Sequence, residues 1–167
     1  MTDTATADKL AIRDVINRYC RGLDRMDKTM ARSVFSEDCR ALYHGMYEGT
    51  GHGFIEWAWE AHEALDRHSH QMTTVLIQLD GDRAVSETYG TITLWASEPE
   101  PVETCCRSRY YDRWEKRDGQ WLIVEREHIL DGQSANGVPL ESEALAASRR
   151  DGEDASFRFF PPEGAIG

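Results

Sequence analysis

The apolar residues of this chain follow two rhythms. In the first third they recur every three or four positions. Leu10, Ile12, Val15, Ile16, Tyr19 and Leu23 form one such stripe, which predicts an amphipathic helix over about residues 6–24. A short second helix is expected after Asp27, a good N-cap residue, running through Met30 and Val34 to Phe35, where "SEDC" breaks it. "RALYHGMYEG" reads as a short strand or hairpin closed by glycine. Phe54, Ile55, Trp57, Ala58, Ala61 and Leu65 predict a third helix over about residues 52–66.

The rhythm then changes. "HQMTTVLIQL", "RAVSETYGTITLWA", "VETCCRSRYYDRWEK" and "QWLIVEREHIL" are strand-like runs separated by "DGD", the polar loop "SEPEP" and "RDG". Asp-Gly between two such runs is a strong hairpin signal. Long strands joined by short turns predict an antiparallel meander. From Asp131 onward Gly, Ser, Pro and charge dominate. We therefore expect residues 1–135 to form the domain and 136–167 to be an irregular tail, packed on the domain or on a neighbouring subunit. Helices followed by a meander make an α+β fold. The sheet must bury one face, and the three helices are its only cover. A strongly curved antiparallel sheet wrapped around N-terminal helices leaves an internal pocket suited to a ligand.

Charge narrows the partners. The 167 residues carry a formal net charge of -11. That argues against a nucleic-acid surface, which needs clustered Lys and Arg, and against an anionic membrane. No apolar run approaches the roughly 20 residues of a membrane span. The start, "MTDTATADKL", lacks a signal-peptide pattern, so a cytoplasmic protein is expected. Cys20, Cys39, Cys105 and Cys106 form no CxxC pair, and adjacent Cys105 and Cys106 point to opposite faces of a strand. Reduced thiols and no metal site are expected. No phosphate loop, Ser–His–Asp motif, haem signature or nicotinamide signature appears, and no cofactor is expected.

The candidate chemistry centres on Asp24, in "RYCRGLDRMD". A helix C-terminus disfavours an acid. Asp24 is either held there by Arg21 or Arg25, or it faces a pocket. Asp24 lies five residues after Tyr19, about 140° round an ideal helix. Both can reach one cavity only if the helix ends or bends near Gly22. His70 is a candidate partner, with His68 two residues earlier as its competitor. A carboxylate fixes the tautomer of an imidazole that titrates near pH 6.5 and frees the other nitrogen for proton transfer.

Other residues divide by the face they occupy. Arg107 and Arg109 share a strand face; inward they would bind an anionic or enolate oxygen, outward they would pair with acids. His128 is a candidate for the same cavity, Tyr47 for its rim, and His44 and His52 for its mouth. His62, on the third helix, is expected to be exposed. The five tryptophans suit the core, with a few lining an apolar cavity for an aromatic, polycyclic or terpenoid substrate.

"AIRDVINRYCRGLDRMD", "ALYHGMYEGTG", "HQMTTVLIQLDGDRAVSETY" and "RYYDRWEKRDGQWLI", in that order, resemble the SnoaL-like branch of the nuclear-transport-factor-2-like superfamily. The resemblance covers about residues 8–130. It implies a cone-shaped α+β barrel and a homodimer or homotrimer. It also implies roles. In dehydratase and dehydrochlorinase relatives an Asp ending the first helix pairs with a His opening the strand after the third helix. Asp24 and His70 match those positions, and Tyr43 and Tyr19 match tyrosines that bind the substrate oxygen. The polar strand positions of scytalone dehydratase fall near Trp95 and Arg107 to Arg109, so substrate contacts differ. The implied function is a lyase of the dehydratase or retro-aldol type. Alternatives are an isomerase or cyclase of a polyketide-like or steroid-like substrate, a non-catalytic ligand-binding module, and an accessory subunit of a ring-hydroxylating dioxygenase.

Overall fold

The computed structural model describes residues 4–160. Helix α1 spans Thr4–Asp24, α2 Lys28–Arg32 and α3 Gly51–Glu63. Strands β1 (Phe35–Tyr43) and β2 (Tyr47–Thr50) precede α3. Strands β3 (Arg67–Asp80), β4 (Arg83–Ala96), β5 (Val102–Arg117) and β6 (Gln120–Ala135) follow it. A two-residue β7 (Val138–Pro139), a 3₁₀ turn (Glu143–Ala147) and a short α4 (Ser156–Phe159) complete the chain. The sheet order is β2-β1-β6-β5-β4-β3, with β7 paired to β6.

The long meander is antiparallel as the hairpin signals predict, with Gly81 and Gly119 at positive φ in its turns. The expected all-antiparallel sheet is corrected at one place. β1 runs parallel to β6, which makes the sheet mixed. The second helix is also shorter than expected. It ends at Arg32, and Phe35 opens β1 with its ring in the core. The last long strand continues through Asp131 to Ala135, past the point where composition turns irregular.

The α1 stripe is buried against the sheet at Ile12, Val15, Ile16, Tyr19 and Leu23, while Leu10 is exposed and lies off the buried face. Helix starts follow local chemistry. Asp27 accepts from the Met30 amide at 2.9 Å, and Thr50 Oγ1 accepts from the Gly53 amide at 3.0 Å. α1 ends at Asp24 itself, and the chain reverses through Met26 at φ 51°. No bend at Gly22 is needed. Gly22 has another purpose: a Cβ there would lie 2.6 Å from the Ala31 nitrogen, so its absence lets α2 pack directly on α1.

The tail first reaches the cavity, which Ser142 and Ala144 help to line, and its last part lies across the outer face of the sheet. Phe159 is buried beside Val85, Tyr111 and Ile129. Residues 161–167 of the expected tail lie outside the described residues.

Candidate active site

Asp24, at the last residue of α1, reaches the opening residues of β3. Its Oδ1 lies 2.7 Å from His70 Nδ1, and its two oxygens accept the His70 backbone N–H at 3.1 and 3.0 Å. The Asp24 and His70 side chains are 16% and 5% exposed. Burial raises the Asp24 pKa, but the imidazole and amide of His70 outweigh it, and the carboxyl is held below its usual value. With Nδ1 engaged by a carboxylate, Nε2 of His70 is the nitrogen left for a ligand. Arg25 does not hold the Asp24 side chain; its guanidinium donates to the Asp24 carbonyl at 2.9 Å.

His68 is not the partner. Its Nε2 lies 2.8 Å from the Leu23 carbonyl, where it closes the end of α1. His68 and His70 share the inner face of β3, so alternation alone does not separate them. The carboxylate and the carbonyl at the helix end divide them between two roles.

His70 lines a cavity of about 490 Å³ between the helices and the concave sheet. Its walls are largely apolar, with Leu23, Phe54, Trp57, Ile92, Leu94 and Leu130 among them. At the deep end the Tyr19 and Tyr43 hydroxyls meet at 3.2 Å. Burial raises the pKa of Tyr19, Tyr43 and Tyr110, so these phenols stay protonated and can donate. Beneath them Arg126 lies 4.4 Å from the Tyr19 ring centre and 5.0 Å from that of Tyr110. Its Nε and Nη2 donate to Asp112 at 2.7 and 2.9 Å, and both residues are buried.

A SnoaL-like domain family model matches residues 4–127. The chain belongs to the SnoaL-like family. No curated protein matches it. Among solved structures, this SnoaL-like chain is similar to a provisionally assigned scytalone dehydratase of Novosphingobium aromaticivorans, with 23% identity, TM-score 0.72 and coverage of 80% of this chain and 91% of that one. It is similar to a single-residue variant of Rv3472 of Mycobacterium tuberculosis, a protein of unknown function, with 27% identity, TM-score 0.68 and coverage of 78% and 75%. A hexachlorocyclohexane dehydrochlorinase, LinA type 2, shares the fold at 15% identity and TM-score 0.70, covering 83% of this chain and 96% of that one.

The SnoaL-like cavity includes Tyr19, Tyr43, His70 and His128, but six other sequence candidates lie elsewhere. Trp95 is on the outer face, where Arg67 stacks on it and its Nε1 donates to Glu103 at 2.8 Å. Arg107 is exposed outside. Arg109 is buried, but on the outer side, bound by Asp131, Asp154 and Tyr111 under the tail. Tyr47 packs on Phe54 and Trp57, and its hydroxyl donates to the Thr50 carbonyl at 3.2 Å, away from the cavity. His44 pairs with Glu127, and His52 faces Glu37 and the Arg32 carbonyl, so neither reaches the cavity.

Several residues have no sequence candidate behind them. His62, expected to be exposed, is half-buried and lines the cavity, as do Ser108 and Tyr110. Arg126 and Asp112 were hidden by register. Counting outward from the Asp118–Gly119 turn sets Asp112 opposite Glu125. A β-bulge adds Val124 to β6 and sets Asp112 opposite Arg126 instead. A second irregularity adds Asp131 before Gln133 returns to the cavity. Among the described residues no helix is long and apolar enough to cross a membrane, and no group of His, Cys, Asp and Glu is arranged to hold a metal ion.

Proposed function

We propose that the protein is a lyase that eliminates water, or a comparable small group, from an apolar cyclic or aromatic molecule by acid–base catalysis. One observation carries this reading: an imidazole whose Nδ1 is bound by a carboxylate faces an apolar cavity large enough for a bicyclic ligand.

In this reading His70 Nε2 removes a proton from carbon. Asp24 stabilises the imidazolium and keeps the ring in place. The Tyr19 and Tyr43 hydroxyls donate to a substrate oxygen, and the buried Arg126 cation favours negative charge developing there. Water is excluded by the apolar walls, which strengthens each electrostatic contact. Retro-aldol cleavage and a double-bond shift use the same parts and differ in what the substrate offers as a leaving group.

The test is a panel of hydroxylated bicyclic and steroid-like compounds, followed by ultraviolet absorbance for the new conjugated double bond and by mass spectrometry for loss of water. A product lighter by one water, formed by the natural chain and not by His70→Gln, supports the reading. Tight binding without any turnover across the panel, or full turnover by His70→Gln, rejects it.

A further inference from the structure

One row of register partners crosses the concave face of the sheet. His70 on β3 pairs with Ile92 on β4, Ile92 with Cys106 on β5, and Cys106 with Gln133 on β6. All four line the cavity. His70 stands at one end of the row and Gln133 at the other, three strand spacings or about 14 Å apart along the curved sheet. Ile92 and Cys106 form a largely apolar floor between them.

Gln133 owes its place to the irregularity at Asp131. His128 and Leu130 face the cavity, so strict alternation would turn Gly132 and Ser134 inward next. The register instead steps from Ser108 opposite Leu130 to Arg107 opposite Gly132, which leaves Asp131 as the extra residue. Gly132 then shares the outer face with Arg107, and Gln133 turns inward beside Cys106. The Gln133 side-chain amide meets the Cys106 sulfur and has no other partner among the described residues. A thiol is a weak hydrogen-bonding group. Gln133 is half-buried, so its amide stays within reach of a ligand.

We propose that Gln133 sets specificity by hydrogen-bonding a second oxygen on the substrate, at the end away from the carbon that His70 deprotonates. The Tyr19 and Tyr43 hydroxyls mark the deep end of the cavity and His70 one side of it. Gln133 supplies a third polar point across the apolar floor. Its amide offers a donor and an acceptor, so a hydroxyl or a carbonyl suits it. A ligand with oxygens at both ends is held in one orientation, with the reacting carbon on the His70 side. A ligand without the second oxygen forgoes that hydrogen bond and is free to reverse.

The placing of the second oxygen relative to the reacting carbon rests on the lyase reading; the contact with Gln133 is tested by binding alone. The probes are naphthalene, 2-naphthol, and the 2,6- and 2,7-naphthalenediols, which add hydroxyls to one bicycle. Dissociation constants are measured by nuclear magnetic resonance titration on the full chain and on Gln133→Met, which is close in volume and lacks the amide. The natural chain should bind one of the diols more tightly than 2-naphthol by roughly five- to tenfold, the gain of one hydrogen bond. Gln133→Met should lose that preference while still binding 2-naphthol. The side-chain amide signals of Gln133 should shift with the preferred diol and not with naphthalene. The proposal is overturned if folded Gln133→Met keeps the full preference, if the natural chain prefers neither diol, or if the Gln133 amide does not respond. Failure of the lyase reading looks different: the diol preference persists while no compound of the hydroxylated panel turns over.

Discussion

Asp24 meets His70 twice, at the imidazole Nδ1 2.7 Å away and at the backbone amide 3.0 Å away. The carboxylate that orients the ring is thus itself oriented by the same residue. This arrangement ties the end of α1 to the start of β3 and fixes which imidazole nitrogen faces the cavity.

His70→Gln and Asp24→Asn should each lower turnover by about 10²–10⁴-fold, the usual contribution of a positioned proton transfer. Binding of the apolar body of the substrate should change little. Equilibrium dialysis and initial rates, measured on the same preparations, separate the two effects. Retention of more than a tenth of the natural rate by either variant would remove the pair from the mechanism.

Stability should fall on the acid side in two stages. His62 and His128 have folded pKa values lowered to about 4 and about 3 by burial, below the value near 6.5 expected when unfolded. The unfolded chain then binds more protons than the folded one from about pH 6.5 downward, so stability declines as pH falls through that window. Asp24 adds a second stage. Its folded pKa is lowered, so its contribution is present above the unfolded carboxyl value and is lost as pH falls through the folded one. Urea midpoints between pH 7.5 and pH 3 report both. His128→Leu should flatten the first stage and Asp24→Asn the second; an unchanged slope in His128→Leu would refute the assignment.

The Arg126–Asp112 pair should be strongly non-additive. Removing either partner strands a buried charge, so Arg126→Met or Asp112→Leu should each cost about 3–5 kcal/mol of stability. The double variant should cost much less than their sum. A double-mutant cycle in urea measures the coupling. Simple additivity would show that the two groups act independently despite the 2.7 Å contact.

Gly22→Ala should destabilise the fold by about 1–3 kcal/mol, although alanine is the better helix former. The new methyl group would sit 2.6 Å from the Ala31 nitrogen, and backbone cannot move aside cheaply. Thermal unfolding tests this, and a gain in stability would contradict the close packing of α1 on α2.

Much of this was readable from residue order. The α1 stripe, the three helices, the meander and the two residues Asp24 and His70 all follow from periodicity, turn chemistry and family likeness. Three features resisted. Arg126 escaped because period-two counting fails wherever a strand takes an extra residue, here Val124. Arg109 stayed open because period two puts it on one face with Arg107 without saying which way that face looks; it looks outward, where Asp131 and Asp154 pair with it under the tail. His62 escaped because a polar residue is expected to face solvent, although it sits four residues after Ala58 and eight after Phe54, on the stripe of α3 that lines the cavity.

The parallel pairing of β1 with β6 also carries a lesson about timing. Tyr43 and His128 are register partners across that seam, so a strand made early waits for one made much later. During synthesis the helices and the first hairpins can form locally, but the wall holding Tyr43, Arg126 and His128 closes only when the last long strand joins. Folding of such distant pairs is slow relative to local structure. A nascent or truncated chain ending before β6 would have His70 and Asp24 within reach of each other but no enclosed chamber, so competence should arise in a single late step.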